Sequence, residues 1–567
     1  MEKTWWKSAV GYQIYPKSFY DTNQDGIGDL PGIIAKLDYL KDLGVNLLWI
    51  GPFYKSPMDD NGYDVSDFFQ VDPSFGTLED AKVLIKQAHK RHIKIILDLV
   101  LNHTSDEHPW FIESRSSLDN PKREYYIWQD GKLDQNGKLI PPTNWASFFD
   151  GSAWNHDPIT NQYYMKIFSD KMPDLNWDNP ALRQEMYHMT RWWLDLGIDG
   201  FRVDAIAHLA RDLSFTDSTL PLNRNNNAPD WSKFSNRPEQ FNYLHEFYDQ
   251  VLSKYECMTI GEVGGGAKIE AGLQYAAYDS HIFNMVFNFD SCWQNNIFGN
   301  ENLKEEDYKI DVIGLKRNLT YWIDGMKDKG WLPQYWLNHD HPRVMSQYGN
   351  PMHYHRESGT MLATILLTLP GTPFIYNGEE IGMTNVDYQS IDDFNDVWVK
   401  TFYNNAKHEM SDEQILAYLT RISRNNARTP MQWDDSNYAG FSSVQPHQKN
   451  VGNYKEINVE KQSNQADSIL NTYRYLIHLR RKSKYKDILV YGDYLLIEPE
   501  HPQLFVYHRK LINKHLMIVT NFSQEPCEYI LPVKKFKVLY NNYNNQASTS
   551  KLSLLPYEAM IIEVQNA

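Results

Sequence analysis

A chain of 567 residues has room for more than one domain, and its 42% hydrophobic and 23% charged content is that of a globular protein. A formal net charge of −16, from 56 Lys and Arg against 72 Asp and Glu, argues against nucleic acid or an anionic membrane as partner, since both need basic patches. No run approaches about 18 apolar residues and the N-terminus MEKTWWKSAVGYQIYP has no apolar signal core, so a soluble, cytoplasmic protein is expected.

Short apolar runs alternate with amphipathic stretches, the pattern of βα units around a parallel sheet. Eight runs qualify as strands: GYQIY (11–15), NLLWI (46–50), KIILDLV (94–100), GFRVD (200–204), MTIGE (258–262), MVFNF (285–289), QYWLN (334–338) and PFIYN (373–377). Eight such units favour a closed (β/α)8 barrel of the TIM type over an open sheet. Between the first two, IAKLDYLKDLG places Ile34, Leu37, Leu40 and Leu43 in one helical stripe. Residues 104–171 turn irregular and rich in Trp, Asn and Pro. They are too long for a single loop, which predicts an inserted subdomain. Residues 213–240 and roughly 384–460 are further excursions. The barrel is therefore expected over 1–103 and 172–484. After ILNTYRYLIHLRRKSK the pattern changes to period two, in DYLLIEP, QLFVYHRK, HLMIVTNF and EAMIIEV. That predicts an antiparallel β domain over 485–567, with the YNNYNNQ tract (540–546) as a surface turn. Three dispersed cysteines, Cys257, Cys292 and Cys527, form neither a disulfide framework nor a metal spacing.

In such a barrel the chemistry sits at the C-terminal ends of the strands. The third delivers Asp98, Asn102 and His103, and the fourth ends on Arg202 and Asp204. Residues two apart on a strand point the same way, so guanidinium and carboxylate are neighbours, and the cation is expected to keep Asp204 ionised. Glu262 follows apolar MTIG, a setting that suits a general acid that must hold its proton. His339 and Asp340 end the seventh strand. Singly, each has an ordinary structural explanation. Together they put an ionised acid and a protonated one at one barrel mouth, as retaining glycosidases require. The 17 Trp and 37 Tyr suit stacking on sugar rings.

Near the N-terminus, DTNQDGIGD offers Asp21, Asn23, Asp25 and Asp29 as alternating oxygen donors, with Gly26 at the turn. This is an EF-hand-like way to wrap Ca²⁺, although position twelve is Gly32 rather than Glu. Any such ion, Ca²⁺ or Mg²⁺, would be structural, because the loop carries none of the catalytic candidates.

DLVLNH, GFRVD, the Glu of IGEV and NHD resemble the α-amylase superfamily, glycoside hydrolase family 13. The likeness runs along the whole chain and is strongest to the oligo-1,6-glucosidase and α-glucosidase group, through MPDLNWDNP, GEEIGM and RTPMQWD. It implies Asp204 as nucleophile, Glu262 as general acid/base and Asp340 as transition-state stabiliser, with Arg202, His103 and His339 contacting the sugar or holding the nucleophile. It also implies a blocked pocket for one terminal glucose: Asp60 and Tyr63 bind it, Arg428 closes the pocket by pairing with Asp60, and Phe149 and Phe168 form aromatic walls. In the metal loop the resemblance adds the carbonyl of Ile27 as a ligand. The expected substrate is a small oligosaccharide, and the expected state a monomer.

Within that group the residue after the nucleophile tracks linkage, valine with α-1,6 and a small residue with α-1,4. Here it is Ala205, and MPDLNW carries Met172 where the α-1,6 pattern has Gln. An exo-acting α-1,4-glucosidase with some transglucosylation is expected. Oligo-1,6-glucosidase, trehalose-6-phosphate hydrolase and a catalytically silent amylase-like binding module are the alternatives. Sucrose isomerase is disfavoured, because no Arg-Leu-Asp-Arg loop precedes NHD. His341 and Asn377 also depart from the group and are expected to reshape the acceptor side.

Overall fold

A computed structural model describes residues 4–264, 266–295, 297–301, 308–545 and 547–565. The expected domain ranges reach beyond these at 1–3, 302–307, 546 and 566–567, among other residues outside the described set. Eight parallel strands form the centre: β1 Gly11–Ile14, β2 Leu47–Ile50, β3 Lys94–Val100, β4 Gly200–Asp204, β5 Met258–Glu262, β6 Met285–Phe287, β7 Pro333–Tyr335 and β8 Thr372–Tyr376. Their order is β6-β5-β4-β3-β2-β1-β8-β7, with β6 and β7 facing each other across the remaining seam of the barrel.

The pleat sorts the residues between two cores. Leu47, Trp49, Ile96, Met258, Ile260, Phe287 and Phe374 fill the barrel interior. Leu48, Ile50, Ile95, Leu97 and Val203 face the surrounding helices. Gly200 starts β4 at φ +144°, and a Cβ there would lie 1.8 Å from the Met258 carbonyl oxygen, so only glycine lets β4 lie this close to β5. The expected first helix is two short ones, Leu30–Ala35 and Leu37–Leu43, divided at Lys36.

The subdomain after β3 consists of helix Pro109–Ser116, a three-stranded antiparallel sheet of Trp128–Gln129, Trp154–Asp157 and Gln162–Met165, and the hairpin Lys132–Leu133 with Leu139–Ile140. The polar excursion at 213–240 packs onto it: Phe234 joins Trp145, Trp154 and Met165 in one core. The C-terminal sheet runs Asp493–Ile497, Leu504–Leu511, Lys514–Asn521, Ala559–Val564, Phe536–Asn541 in spatial order. Helix Lys486–Tyr491 places Val490 in the barrel's interior core, so the β domain proper begins at Asp493. The tract expected as a surface turn is partly structural. Tyr540 and Asn541 end a strand, and buried Asn542 donates to the Glu357 and Tyr557 carbonyls.

No helix among the described residues is long and apolar enough to cross a membrane.

Candidate active site

Register brings the acids together. Arg202 on β4 lies directly opposite Asp98 on β3, and Asp204 points the same way two residues on. The Arg202 guanidinium, 1% exposed, donates from Nη1 to Asp98 and to Asp204, both at 2.6 Å, and from Nη2 to Glu262 at 2.8 Å. Trp49 Nε1 holds the other oxygen of Asp98 at 2.9 Å. The chain then turns sharply: Ala205 is left-handed at φ +47°, and its amide donates to Glu262 Oε2 at 3.0 Å.

Two of the three expected catalytic acids thus hang on one cation. The expectation that Arg202 keeps Asp204 ionised needs correction, because that cation is divided among three carboxylates. Burial is the largest influence on Asp204, and with Glu262, Asp98 and Asp340 it outweighs Arg202 and pushes the carboxyl well above its usual range. Attack by Asp204 as a carboxylate therefore depends on its 2.6 Å contact with Arg202, which alone among these neighbours lowers its carboxyl.

Asp340, the third acid, has a different environment. Arg428 lies 2.7 Å from it, Arg424 3.1 Å and His339 Nε2 3.0 Å. Burial would raise its carboxyl, but His339, Arg428 and Arg424 hold it well below the usual range. Gln13 donates to His339 Nδ1 (2.9 Å), which leaves Nε2 as the proton-bearing nitrogen beside Asp340 and the Tyr63 hydroxyl (2.7 Å). The Tyr63 and His339 rings stack at 5.2 Å. His103 is buried and held neutral by burial, its pKa lowered to about 3. Its ring lines the cavity.

A cavity of about 250 Å³ opens above these groups. Asp60, Tyr63, His103, Phe149, Phe168, Asp204, Ala205, Glu262 and Asp340 all line it, as does Met172. The pairing expected of Arg428 is made by another residue: Arg424 binds Asp60 at 2.6 Å, while Arg428 binds Asp340 and donates to the His339 carbonyl. Asp396, 2% exposed, anchors Arg424 at 2.6 Å and Arg428 at 3.5 Å. Sequence reasoning missed Arg424 and Asp396. The signal for Arg424 lay in RISRNNAR, where it stands four residues before Arg428. Trp293, Phe298, Trp398 and Ile422 complete the rim and were also missed. Asn377 does not reach the cavity. It is fully buried, and its side chain accepts from the Tyr15 amide. His341 is buried behind Trp293 and Phe289.

The expected metal loop is held by its own backbone. Asp21 accepts from the Gln24 and Gly26 amides (2.8 and 2.9 Å) and from Ser442 Oγ. Asp29 accepts from Thr22 and caps helix Leu30–Ala35 through the Gly32 amide. Asn23 and Asp25 bond each other at 3.0 Å, and Asp25 accepts from the Ile27 amide. Among the described residues no cluster of three His, Cys, Asp or Glu side chains is arranged to hold a metal ion.

Residues 13–492 match the family model of the alpha amylase catalytic domain. The chain belongs to the α-amylase family. It is accordingly a glycoside hydrolase, and its relatives in the family align from end to end. An oligo-1,6-glucosidase of Bacillus cereus is 44% identical, with all of both chains covered. Among solved structures, the trehalose-6-phosphate hydrolase of Bacillus licheniformis is 38% identical with a TM-score of 0.91, and the isomaltulose synthase of Klebsiella sp. LX3 is 38% identical with a TM-score of 0.93. Each covers 100% of both chains.

Proposed function

We propose that this α-amylase family member is an exo-acting, retaining α-glucosidase that releases glucose from the non-reducing end of short α-1,4-linked oligosaccharides. One observation carries the reading: two carboxyls share one buried guanidinium at the floor of a cavity whose wall is closed by the Asp60–Arg424 pair. A closed pocket of this size holds one terminal sugar ring and leaves the next glycosidic oxygen at its mouth. Acids bridged by one cation suit the short separation of retaining enzymes, about 5 Å, better than the wider gap that admits a water between them.

Asp204 attacks the anomeric carbon as the bond to the leaving oxygen breaks, and Glu262 gives that oxygen its proton. Arg202 holds the charge that leaves Asp204 and forms on Glu262. Asp340, kept ionised by His339, Arg428 and Arg424, faces the positive charge that develops on the ring. Water, deprotonated by Glu262, then displaces Asp204. The second inversion restores the original configuration. The cavity lining is also aromatic and apolar at Trp293, Phe298, Trp398 and Ile422, a surface on which an acceptor sugar can stack and intercept the glycosyl-enzyme. This supports some transglucosylation.

The α-1,4 preference rests on Ala205 and Met172, both at the cavity surface. A methyl at 205 leaves room beside the scissile bond that a branched side chain would fill. Oligo-1,6-glucosidase is the second reading, favoured by the 44% identical relative. Trehalose-6-phosphate hydrolysis is disfavoured. Arg424 is the one cation lining the cavity among the described residues, and Asp60, Asp340 and Asp396 already hold it.

Maltose is expected to turn over faster than isomaltose, and Ala205→Val to move the ratio toward isomaltose. Faster isomaltose turnover by the wild type would install the second reading. The loop at 21–29 is proposed to take Ca²⁺ as a structural ion, supported by its alternating oxygen donors. A rise in Tm on adding Ca²⁺ to chelator-treated protein is the expected result, and an unchanged Tm would remove the ion from the account.

A further inference from the structure

A second cavity, of about 520 Å³, lies away from the active site, between helix Ile469–Lys482 of the barrel and strand Phe536–Asn541 of the C-terminal sheet. That volume is within the usual range for small-molecule sites, roughly 300–1,000 Å³. Its walls are Asp467, Asn471, Tyr475, Tyr540, Asn544 and Asn545, among others. The Tyr475 ring stacks on Tyr540, centroids 5.6 Å apart and planes 25° apart, yet Tyr475 keeps 41% of its surface exposed.

The platform is rigid. Tyr475 hydroxyl donates to the Leu539 carbonyl, which ties its helix to the strand. Asn541 and Asn542 are buried, and their side chains are committed to Glu558, Glu357 and Tyr557. These anchors hold the turn that presents Asn544, left-handed at φ +58°, and Asn545, both exposed on the groove. The groove thus offers an aromatic face that remains open, two exposed amides and the carboxylate of Asp467. Asp467 lies 3.8 Å from Arg356, which is also paired with Glu357, and no Lys or Arg lines the groove among the described residues. An aromatic face flanked by amides and an acceptor carboxylate is the chemistry of a neutral polyol ring, whose C–H face stacks while its hydroxyls bond at the edge.

We propose that this groove is a second saccharide-binding site, which takes an internal stretch of an α-linked glucose oligomer. The choice of sugar rests on the α-glucosidase reading. The site itself rests on the groove. The Asn-rich tract 540–545 thereby acquires a ligand role that the catalytic machinery does not use.

The test is calorimetric titration of maltoheptaose into Glu262→Gln protein, which cannot turn it over, with and without Tyr475→Ala. Two binding sites are expected in the first. In the second, one is expected to be lost or weakened by at least about tenfold, an effect of about 1.4 kcal/mol. Asn544→Ala should weaken the same site, while Tyr475→Phe, which keeps the ring, should retain it. On the otherwise wild-type chain, Tyr475→Ala should leave turnover of 4-nitrophenyl α-glucoside unchanged, which reports folding and the main activity separately. One binding site in the Glu262→Gln protein, or two undiminished by both Tyr475→Ala and Asn544→Ala, would overturn the proposal. Failure of the chromogenic assay in the wild type would instead overturn the glucosidase reading.

Discussion

Arg202 and Arg424 divide the work of the cavity. Arg202 serves Asp98, Asp204 and Glu262 at the floor of the cavity. Arg424 serves Asp60, Asp340 and Asp396 at its wall. Removing Arg424 leaves buried Asp60 without its cation, an effect of about 2–5 kcal/mol at such a pair. Arg424→Ala is expected to raise KM for 4-nitrophenyl α-glucoside by at least about tenfold, with a smaller change in kcat. Arg428→Ala, which strips Asp340 of its 2.7 Å partner, should lower kcat more than it raises KM. Steady-state kinetics of the two variants checks the division. The sequence made Arg202, Asp204 and Glu262 legible, because a period of two and a strand end dictate where they point. It could not separate Arg424 from Arg428. Which of two arginines one turn apart meets Asp60 depends on how the 384–460 segment folds over the mouth, and no local rule encodes that.

At the level of elements, all eight barrel strands were legible as apolar runs, with ends displaced by at most three residues. The aromatic rim was not, since Trp293 and Phe298 lie on an irregular connection and Trp398 on helix Val397–Ala406, all placed by packing. The turn after β8 holds a consequence of its own. Glu379 and Glu380 are both buried, 4% and 0% exposed. Glu379 accepts from Tyr473, and Glu380 from Tyr12 and Tyr39, each at 2.7 Å, with no cation in ion-pair contact among the described residues. Burial pushes Glu379 up to about 8. Its folded pKa is thus above the unfolded value of about 4.3. The fold favours its neutral form, so this contribution to stability is complete below about pH 4.3 and is lost as pH rises through about 8. Glu379→Gln cannot ionise, and its Tm should therefore fall less between pH 5 and pH 8 than that of the wild type. An identical fall in both proteins, measured by scanning calorimetry, would remove Glu379 from the pH dependence.

Across the whole molecule, separate pieces of chain build one site. The barrel supplies Arg202, Asp204, Glu262 and Asp340, the subdomain after β3 supplies Phe149 and Phe168, and the 384–460 segment supplies Asp396, Arg424 and Arg428. The C-terminal sheet contributes rigidity from behind. Lys316, on helix Val312–Met326, donates to the carbonyls of Glu498, His501 and Leu504, and Arg509 donates to the Thr368 carbonyl across the same junction. The domain order was legible from the change of period near residue 485, but the carbonyl-bound cations that join the domains were not, since backbone acceptors leave no trace in side-chain pattern. The central claim is that Asp204 and Glu262 act from this assembly by double displacement. Proton NMR of the first glucose released from 4-nitrophenyl α-glucoside tests it most directly. The account predicts that the α-anomer forms first and then mutarotates; initial release of the β-anomer would contradict it.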